Sequence, residues 1–295
     1  MVSQNLLNQS NVEIVSALGG MKVLQHKKDL SISPLTATKE YYCSQMNIQR
    51  KQVLLELNGN SYVVQAGAMQ WMCGQVSMES GVKGVGNFLG KAVASAVTKE
   101  TTVKPIYSGV GQVMLEPTYR HILLTNVADW GGQIVLDDGL FLACDASLQQ
   151  KVVARSNLSS AVFGREGLFN LSLIGKGVVA LESIVPMQEL FEIQLQDDVM
   201  KIDGNMAIAW SGSLNFTVEK SGKSLLGSAV SGEGLVNVYR GTGKIWMAPV
   251  MSGAYSAGVT VPTETAAQGA TGTKAGKIGV GDAVDAVSTV LNLFK

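Results

Sequence analysis

In the segment LSLIGKGVVAL, residues 171–181, Gly175 and Gly177 separate two short β-prone runs. The same Gly-x-Gly pattern occurs twice more, in KPIYSGVGQVML at Gly109 and Gly111 and in NVYRGTGKIWM at Gly241 and Gly243. Successive glycine pairs are 66 residues apart. Because glycine readily adopts the positive φ that tight turns need, each pair predicts a hairpin turn between two strands.

A second block repeats with almost the same period. Its copies begin at Ala66, Asp138 and Asp203, and they read AGAMQWMCGQVSM, DGLFLACDASLQQ and DGNMAIAWSGSLNF. When these copies are aligned, Trp71, Ala143 and Ala209 correspond, at spacings of 72 and 66 residues. Two independent blocks in one register indicate an internal repeat rather than coincidence.

An acidic residue precedes two of the glycine pairs at a similar distance. Glu166 and Glu233 are each followed by Gly-Leu, whereas the first unit has KETTV around Glu100. We interpret Glu166 and Glu233 as repeat corner acids whose carboxylates accept backbone amides. A pair of catalytic acids is the alternative, but no histidine or third carboxylate is tied to them in the sequence.

These patterns predict a mainly β protein with three internal repeats of about 66 residues. Each repeat is expected to form a short double-stranded β-helix-like unit, and together they form one triplicated β domain over residues 1–250. Glycine, at 33 of 295 residues, is enriched as turn-rich β proteins require. The three units span about 1–118, 119–185 and 186–250.

The chain after the β domain changes in composition. Residues 251–280 are rich in Gly, Ala and Thr and predict a flexible linker, and residues 281–295 predict a short amphipathic helix. The apolar side chains on one face of this helix are those of Val284, Val287, Leu291 and Phe294. They could dock on the chain's own body, on a subunit, on a partner or on a membrane. The Gly-rich insert 81–97 is a second candidate for docking a partner.

The sequence contains few of the residues that common catalytic and metal sites need. Only two histidines occur, His26 and His121, and the three cysteines form no CxxC pair. Zinc sites and Ser-His-Asp chemistry therefore lack their components, and neither Gly-rich segment fits a nucleotide-binding motif. We predict no catalytic residues, no metal, no cofactor and no enzymatic activity.

Charge and cysteine usage restrict the cellular setting. The formal net charge is zero, with 23 basic and 23 acidic residues, so bulk attraction to nucleic acid is absent. The basic run Lys22–Lys28 could contact phosphate, although such a run is more often a solvated face. An odd number of cysteines, no leader-like segment and no long apolar stretch predict a cytoplasmic protein with reduced thiols.

Three segments resemble a known family. The run FLACDASLQQKVVARSNLSSAVFGREGLFNLSLIGKGVVALES, with GAMQWMCGQVSME before it and SGEGLVNVYRGTGKIWMAP after it, is similar to the family of the altered inheritance of mitochondria protein 24. The resemblance covers roughly Val53 to Pro249 and departs at KETTV and in the C-terminal tail. It implies a fold like that of the trp RNA-binding attenuation protein, a small double-stranded β-helix. Mitochondrial members are implicated in organelle biogenesis and inner-membrane organisation, and no catalytic residues can be carried over.

The function that these observations favour is that of a non-enzymatic assembly or scaffold protein. A chain with an internal threefold repeat offers similar edges to its neighbours, so we expect a homo-oligomer, with a trimer favoured. Protein partners would bind at the insert or at the C-terminal helix, where peripheral membrane contact is also conceivable. The alternative is an RNA or small-ligand binding module, which rests on analogy of fold for RNA. An enzyme of unrecognised type is the third hypothesis.

Overall fold

A computed structural model of the chain describes residues 9–80, 104–154, 169–220 and 235–249. Most of these residues lie in strands, which confirms the prediction of a mainly β protein. The elements are β1 (Val12–Leu18), β2 (Met21–His26), α1 (Ala37–Gln45), β3 (Lys51–Val64), β4 (Met69–Glu79), β5 (Ile106–Leu115), β6 (His121–Asn126), β7 (Gln133–Leu136), β8 (Phe141–Asp145), β9 (Gln149–Ala154), β10 (Phe169–Ile174), β11 (Val178–Ser183), β12 (Phe191–Asp203), β13 (Ala207–Ser211), β14 (Asn215–Lys220) and β15 (Leu235–Met247).

The strands form two curled antiparallel sheets. The first sheet has the order β1-β2-β3-β8-β11-β6, with β5 paired to β3 and β4 paired to β5. The second has the order β12-β15-β13-β7-β10-β9, with β14 paired to β15. Strands from the middle of the chain therefore occur in both sheets, and β10 leads directly into β11 from one sheet to the other.

One connectivity recurs along the chain. Strand β5 pairs with β3 and β4, and β15 pairs with β12, β13 and β14. Between these sets, β10 pairs with β7 and β9 while β11 pairs with β6 and β8. In the first and middle sets the last strand lies between two earlier ones, and in the final set β15 has β12 on one edge and β13 and β14 on the other. A one-residue irregularity also recurs where the second strand meets the third, and it lies at Gln70, Leu142 and Ile208.

The hydrophobic core is largest where the two sheets meet. One cluster there combines residues of β3, β8 and β11 with residues of β7, β10 and β15. Within it, the rings of Trp130 and Trp246 lie 4.8 Å apart in an edge-to-face arrangement. The indole N–H of Trp130 donates to the hydroxyl of Thr125 at 2.9 Å, so this buried polar group is satisfied. The two sheets thus share one core.

The predicted hairpins at the glycine pairs are wrong. Gly109 and Gly111 lie within β5, and Gly241 and Gly243 lie within β15. Gly175 and Gly177 do separate two strands, but those strands, β10 and β11, belong to different sheets and do not pair with each other. The φ angles are 122° at Gly109, 126° at Gly175 and 115° at Gly241. At Gly109 and Gly241 glycine is needed because the strand passes a break in its ladder, a conformation as demanding as a turn.

Several predicted features lie outside the described residues. These are the corner acids Glu166 and Glu233, the insert 81–97, the linker 251–280 and the helix 281–295 with Val284, Val287, Leu291 and Phe294.

Candidate functional site

A cavity of about 560 Å³ lies beside α1, and most of the residues that line it precede β3 in the sequence. Its volume falls in the range of small-molecule pockets, about 300–1,000 Å³. Its lining includes apolar side chains, among them Leu30, Tyr41 and Ile48. The lining also includes the charged side chains of Lys27, Lys28, Asp29, Glu40 and Arg50. This combination would suit a ligand with an apolar body and an anionic group.

Helix α1 contributes apolar surface rather than core. None of its residues is buried, and Tyr41 and Tyr42 are 60% and 64% exposed. Met46, directly after the helix, is 73% exposed. A nine-residue helix is too short to be stable alone in water, so its contacts with the neighbouring loops must hold it.

A cluster of polar contacts around Asp29 ties the loop before α1 to the body. The Tyr119 hydroxyl donates to Asp29 Oδ2 at 2.7 Å, and the Ser31 N–H donates to Asp29 Oδ1 at 3.1 Å. Arg50 Nη2 lies 3.4 Å from Asp29 Oδ1. The hydrogen bond from Tyr119 lowers the pKa of Asp29, and the same bond raises the pKa of Tyr119 to about 12. Both groups therefore keep their charge states at neutral pH.

Cationic and unsatisfied groups border the same cavity. Lys27 Nζ is 3.8 Å from a Glu13 carboxylate oxygen, which is a loose surface pair. Arg50 Nε and Gln49 Oε1 are buried and have no hydrogen-bond partner within the described part of the chain. Buried polar atoms without partners are costly, so they mark a place where a ligand could add bonds.

Two titratable side chains near this region have altered pKa values. Lys51 is only 6% exposed, and burial lowers its pKa, while its ammonium donates to the Gln49 carbonyl at 3.2 Å. Burial also lowers the pKa of His121, and the charge of Lys51 adds to this effect. Among the residues that the structure describes, no group of three His, Cys, Asp or Glu side chains could hold a metal ion.

The second candidate site consists of open strand edges. Within the described ranges, β4 pairs only with β5 and β12 pairs only with β15. Strand β4 presents MQWMCGQVSM without a charged residue before Glu79, and Met72 and Met78 are 44% and 50% exposed. Strand β12 carries several charged residues, including Asp197 and Asp198 at an irregularity in the ladder. Charges and bulges protect an edge from pairing, so β4 is the less protected of the two.

Of the residues that line the α1 cavity, the sequence patterns pointed only to the end of the basic run Lys22–Lys28. The helix was missed because ATKEYYCSQ has no apolar periodicity, although Pro34 and Thr36 before it are typical of a helix start. The six glycines that were predicted to form turns lie in β5, between β10 and β11, and in β15, and none of them lines the cavity. In the part of the chain with described structure, no helix has the length and hydropathy needed to span a membrane.

Comparison with known protein families identifies the family of this chain. A family model described as mitochondrial biogenesis AIM24 matches residues 45–250, which is more than half of the chain. The chain belongs to the AIM24 family. The AIM24 match includes β3 to β15 and so contains the open edges of β4 and β12, whereas most of the α1 cavity precedes it.

Two relatives come from Streptococcus pyogenes. An uncharacterised protein of serotype M6 is 31% identical to this AIM24 chain over 198 residues, which is 64% of this chain and 77% of the relative. A crystal structure of an S. pyogenes protein aligns with a TM-score of 0.53 at 23% identity, covering 80% of this chain and 97% of the other. The structural likeness shows a shared fold.

Proposed function

We propose that this chain is a non-enzymatic assembly protein that builds a β-rich scaffold by pairing its open sheet edges with other chains. The observation that carries the proposal is the edge of β4, eleven residues long, which has no partner strand among the described residues and no charge before its last residue. An exposed, long and uncharged edge is an aggregation hazard in a monomer and a ready interface in an assembly.

An internal repeat supports this function. We infer that three copies of one three-strand unit make up the body, because the three strand sets share their connectivity and the position of their irregularity. The 66-residue spacing of Gly109, Gly175 and Gly241, with φ values of 122°, 126° and 115°, agrees with this inference. A chain of similar units joined by edge pairing leaves one unsatisfied edge at each end.

The expected assembly is a homo-oligomer, with a trimer as the favoured size. We further propose that other protein partners, or a membrane surface, would be contacted through the insert 81–97 and the C-terminal helix. We propose a cytoplasmic location, which agrees with the odd number of cysteines and with the free thiols of Cys43, Cys73 and Cys144.

Measurement of mass in solution tests the assembly function. Light scattering after size exclusion, repeated over a hundredfold concentration range, should give a mass that is a multiple of 31.1 kDa. The multiple should fall on dilution if the edges associate reversibly. A monomer at every concentration would contradict the proposal.

A second candidate function is the binding of an anionic amphiphile in the α1 cavity. The juxtaposition of Lys28 and Arg50 with apolar Leu30 and Tyr41 favours it. Titration calorimetry with dodecyl phosphate should give binding that Lys28→Gln weakens, whereas the distant Lys151→Gln should not. Equal heats for dodecyl phosphate and for the uncharged dodecyl maltoside would exclude recognition of the anion. RNA binding rests on fold analogy alone, and the neutral net charge gives it no support.

A further inference from the structure

We propose that copies of this chain join head to tail, with the second half of β12 in one copy pairing with the first half of β4 in the next. The register is one that the chain already uses twice internally. This inference rests on the proposed assembly function and names its interface and its partner, a second copy of the chain.

Two internal junctions define the register. In the first, β8 pairs with β3, and its residue pairs are Tyr62 with Asp145, Val63 with Cys144 and Val64 with Ala143. In the second, β13 pairs with β7, and its residue pairs are Ile134 with Ser211, Val135 with Trp210 and Leu136 with Ala209. Each junction joins the second strand of one set to the first strand of the preceding set, over three antiparallel pairs.

The hydrogen bonds that flank the two junctions are also equivalent. At one end, the Gln65 N–H donates to the Leu142 carbonyl at 2.8 Å, and the Asp137 N–H donates to the Ile208 carbonyl at 2.9 Å. At the other end, the corresponding bonds are Ala146 N–H to Ser61 carbonyl and Gly212 N–H to Gln133 carbonyl, both 2.9 Å. The junctions therefore agree in register and in bonding pattern.

The pairing with the third strands identifies the residues that would form a third junction. Tyr62, Ile134 and Met200 occupy equivalent positions, because they lie opposite Tyr107, Leu173 and Tyr239, which are 66 residues apart. Trp71, Ala143 and Ala209 are equivalent in the same way, since they lie opposite Met114, Ala180 and Trp246. The third junction would thus pair Met200 with Cys73, Lys201 with Met72 and Ile202 with Trp71.

Among the strands that the structure describes, this third junction is not made within the chain. Strand β4 belongs to the first sheet and β12 to the second, and neither is paired along its other edge within the described ranges. The free edges are complementary, because each is the missing partner of the other. Two different surfaces that meet in this way form a heterologous interface, which closes into a ring or extends as a filament.

The side chains in the inferred register are compatible. Ile202 is 2% exposed and faces the interior, so Trp71 opposite it would extend the same apolar face. Lys201 and Met72 are both exposed and would lie opposite each other, where the lysine stem can cover the methionine while its ammonium stays in water. No like charges oppose each other in these three pairs.

Disulfide trapping tests the register directly, because Cys73 is already in place. Met200→Cys should be introduced into a Cys43→Ser background, while Cys144 is buried and can remain. The pair equivalent to Met200 and Cys73 lies between hydrogen-bonded pairs, where Cα atoms are about 4.5 Å apart and a disulfide fits. Mild oxidation should give reducible dimers and larger species on denaturing gels. These species should disappear when Cys73→Ser is added.

A matched control checks the strand face. Lys201→Cys in the same background points to the opposite face of β12, so it should cross-link at least tenfold more slowly. Dimers that form in the Cys43→Ser protein without Met200→Cys would indicate symmetric β4–β4 pairing and overturn the proposal. A disulfide confined to monomers would show closure within one chain and would overturn it too.

A second pair of variants avoids dependence on oxidation. Met72→Lys places a charge in the inferred interface, whereas Met78→Lys places one on the same strand beyond it, and both side chains are exposed. Met72→Lys should raise the dissociation constant of the assembly at least tenfold, and Met78→Lys should not. Equal effects would refute the register. An oligomer that resists Met72→Lys and does not cross-link refutes this interface alone, whereas a wild-type monomer refutes the assembly function as well.

Discussion

Replacing Gly109 with alanine should destabilise the protein far more than replacing Gly241 with alanine. Both glycines have a positive φ, 122° and 115°, so both substitutions carry the same backbone strain of about 1–3 kcal/mol. The space around them differs. A Cβ on Gly109 would overlap the carbonyl oxygen of Gln75, because β4 runs unbroken past it. A Cβ on Gly241 would meet only the Ser213 carbonyl oxygen, at 3.8 Å.

Relieving the overlap at Gly109 requires backbone movement, which adds about 1–3 kcal/mol. For a body of this size, that difference corresponds to a melting temperature about 2–12 °C lower for Gly109→Ala than for Gly241→Ala. Thermal unfolding followed by tryptophan fluorescence and by circular dichroism measures both variants under the same conditions. Equal melting temperatures would refute the reasoning, because they would mean that β4 does not pass close to Gly109.

Three further predictions concern single contacts. Thr125→Val should cost about 1–3 kcal/mol in urea unfolding, because the buried Trp130 indole N–H loses the Thr125 hydroxyl oxygen that accepts from it at 2.9 Å; an unchanged midpoint would contradict this. Cys144, whose pKa is raised to about 12 by burial, should not react with a thiol reagent at pH 8 until the protein unfolds. Tyr119→Phe should raise the pKa of Asp29 towards its usual value, as measured by NMR titration. The Asp29 contact stabilises the fold above the ordinary carboxyl pKa of about 4 and is lost as pH falls through the lowered value, so this variant should show a weaker acid dependence of stability.

The sequence correctly predicted a mainly β fold and contains the regular spacing of the glycine pairs. It did not predict that two of these pairs lie within long strands rather than in turns. A Gly-x-Gly pair between β-prone runs fits a hairpin, but it fits equally well a long strand that passes a break in its partner's ladder. In β15, Gly241 and Gly243 do the second, and the strand continues to Met247. Local propensity cannot separate these cases, because both need a positive φ. Only pairing with β12, far away in sequence, decides between them.

The α1 cavity could not be predicted for a different reason. Its walls come from the end of β2, the loop and helix that follow, and Tyr119, which is distant in sequence. None of these segments shows a periodic apolar pattern, and α1 buries none of its residues. The contact between Tyr119 and Asp29 exists because the tertiary fold brings residues 90 positions apart together. The sequence carries no local signal for such a pair.

The charges on β12 bear on the inferred junction as well as on edge protection. Asp197, with a φ of 51°, and Asp198 lie at the irregularity in the β12 ladder and would oppose continuous pairing along the whole strand. Beyond them, Val199–Ile202 contains one charge, that of Lys201. Only this half of the edge is therefore open to a partner strand. The two internal junctions also use only part of each strand, with three residue pairs each. The boundary between the protected and the open part of β12 therefore lies close to Met200, where the inferred pairing begins.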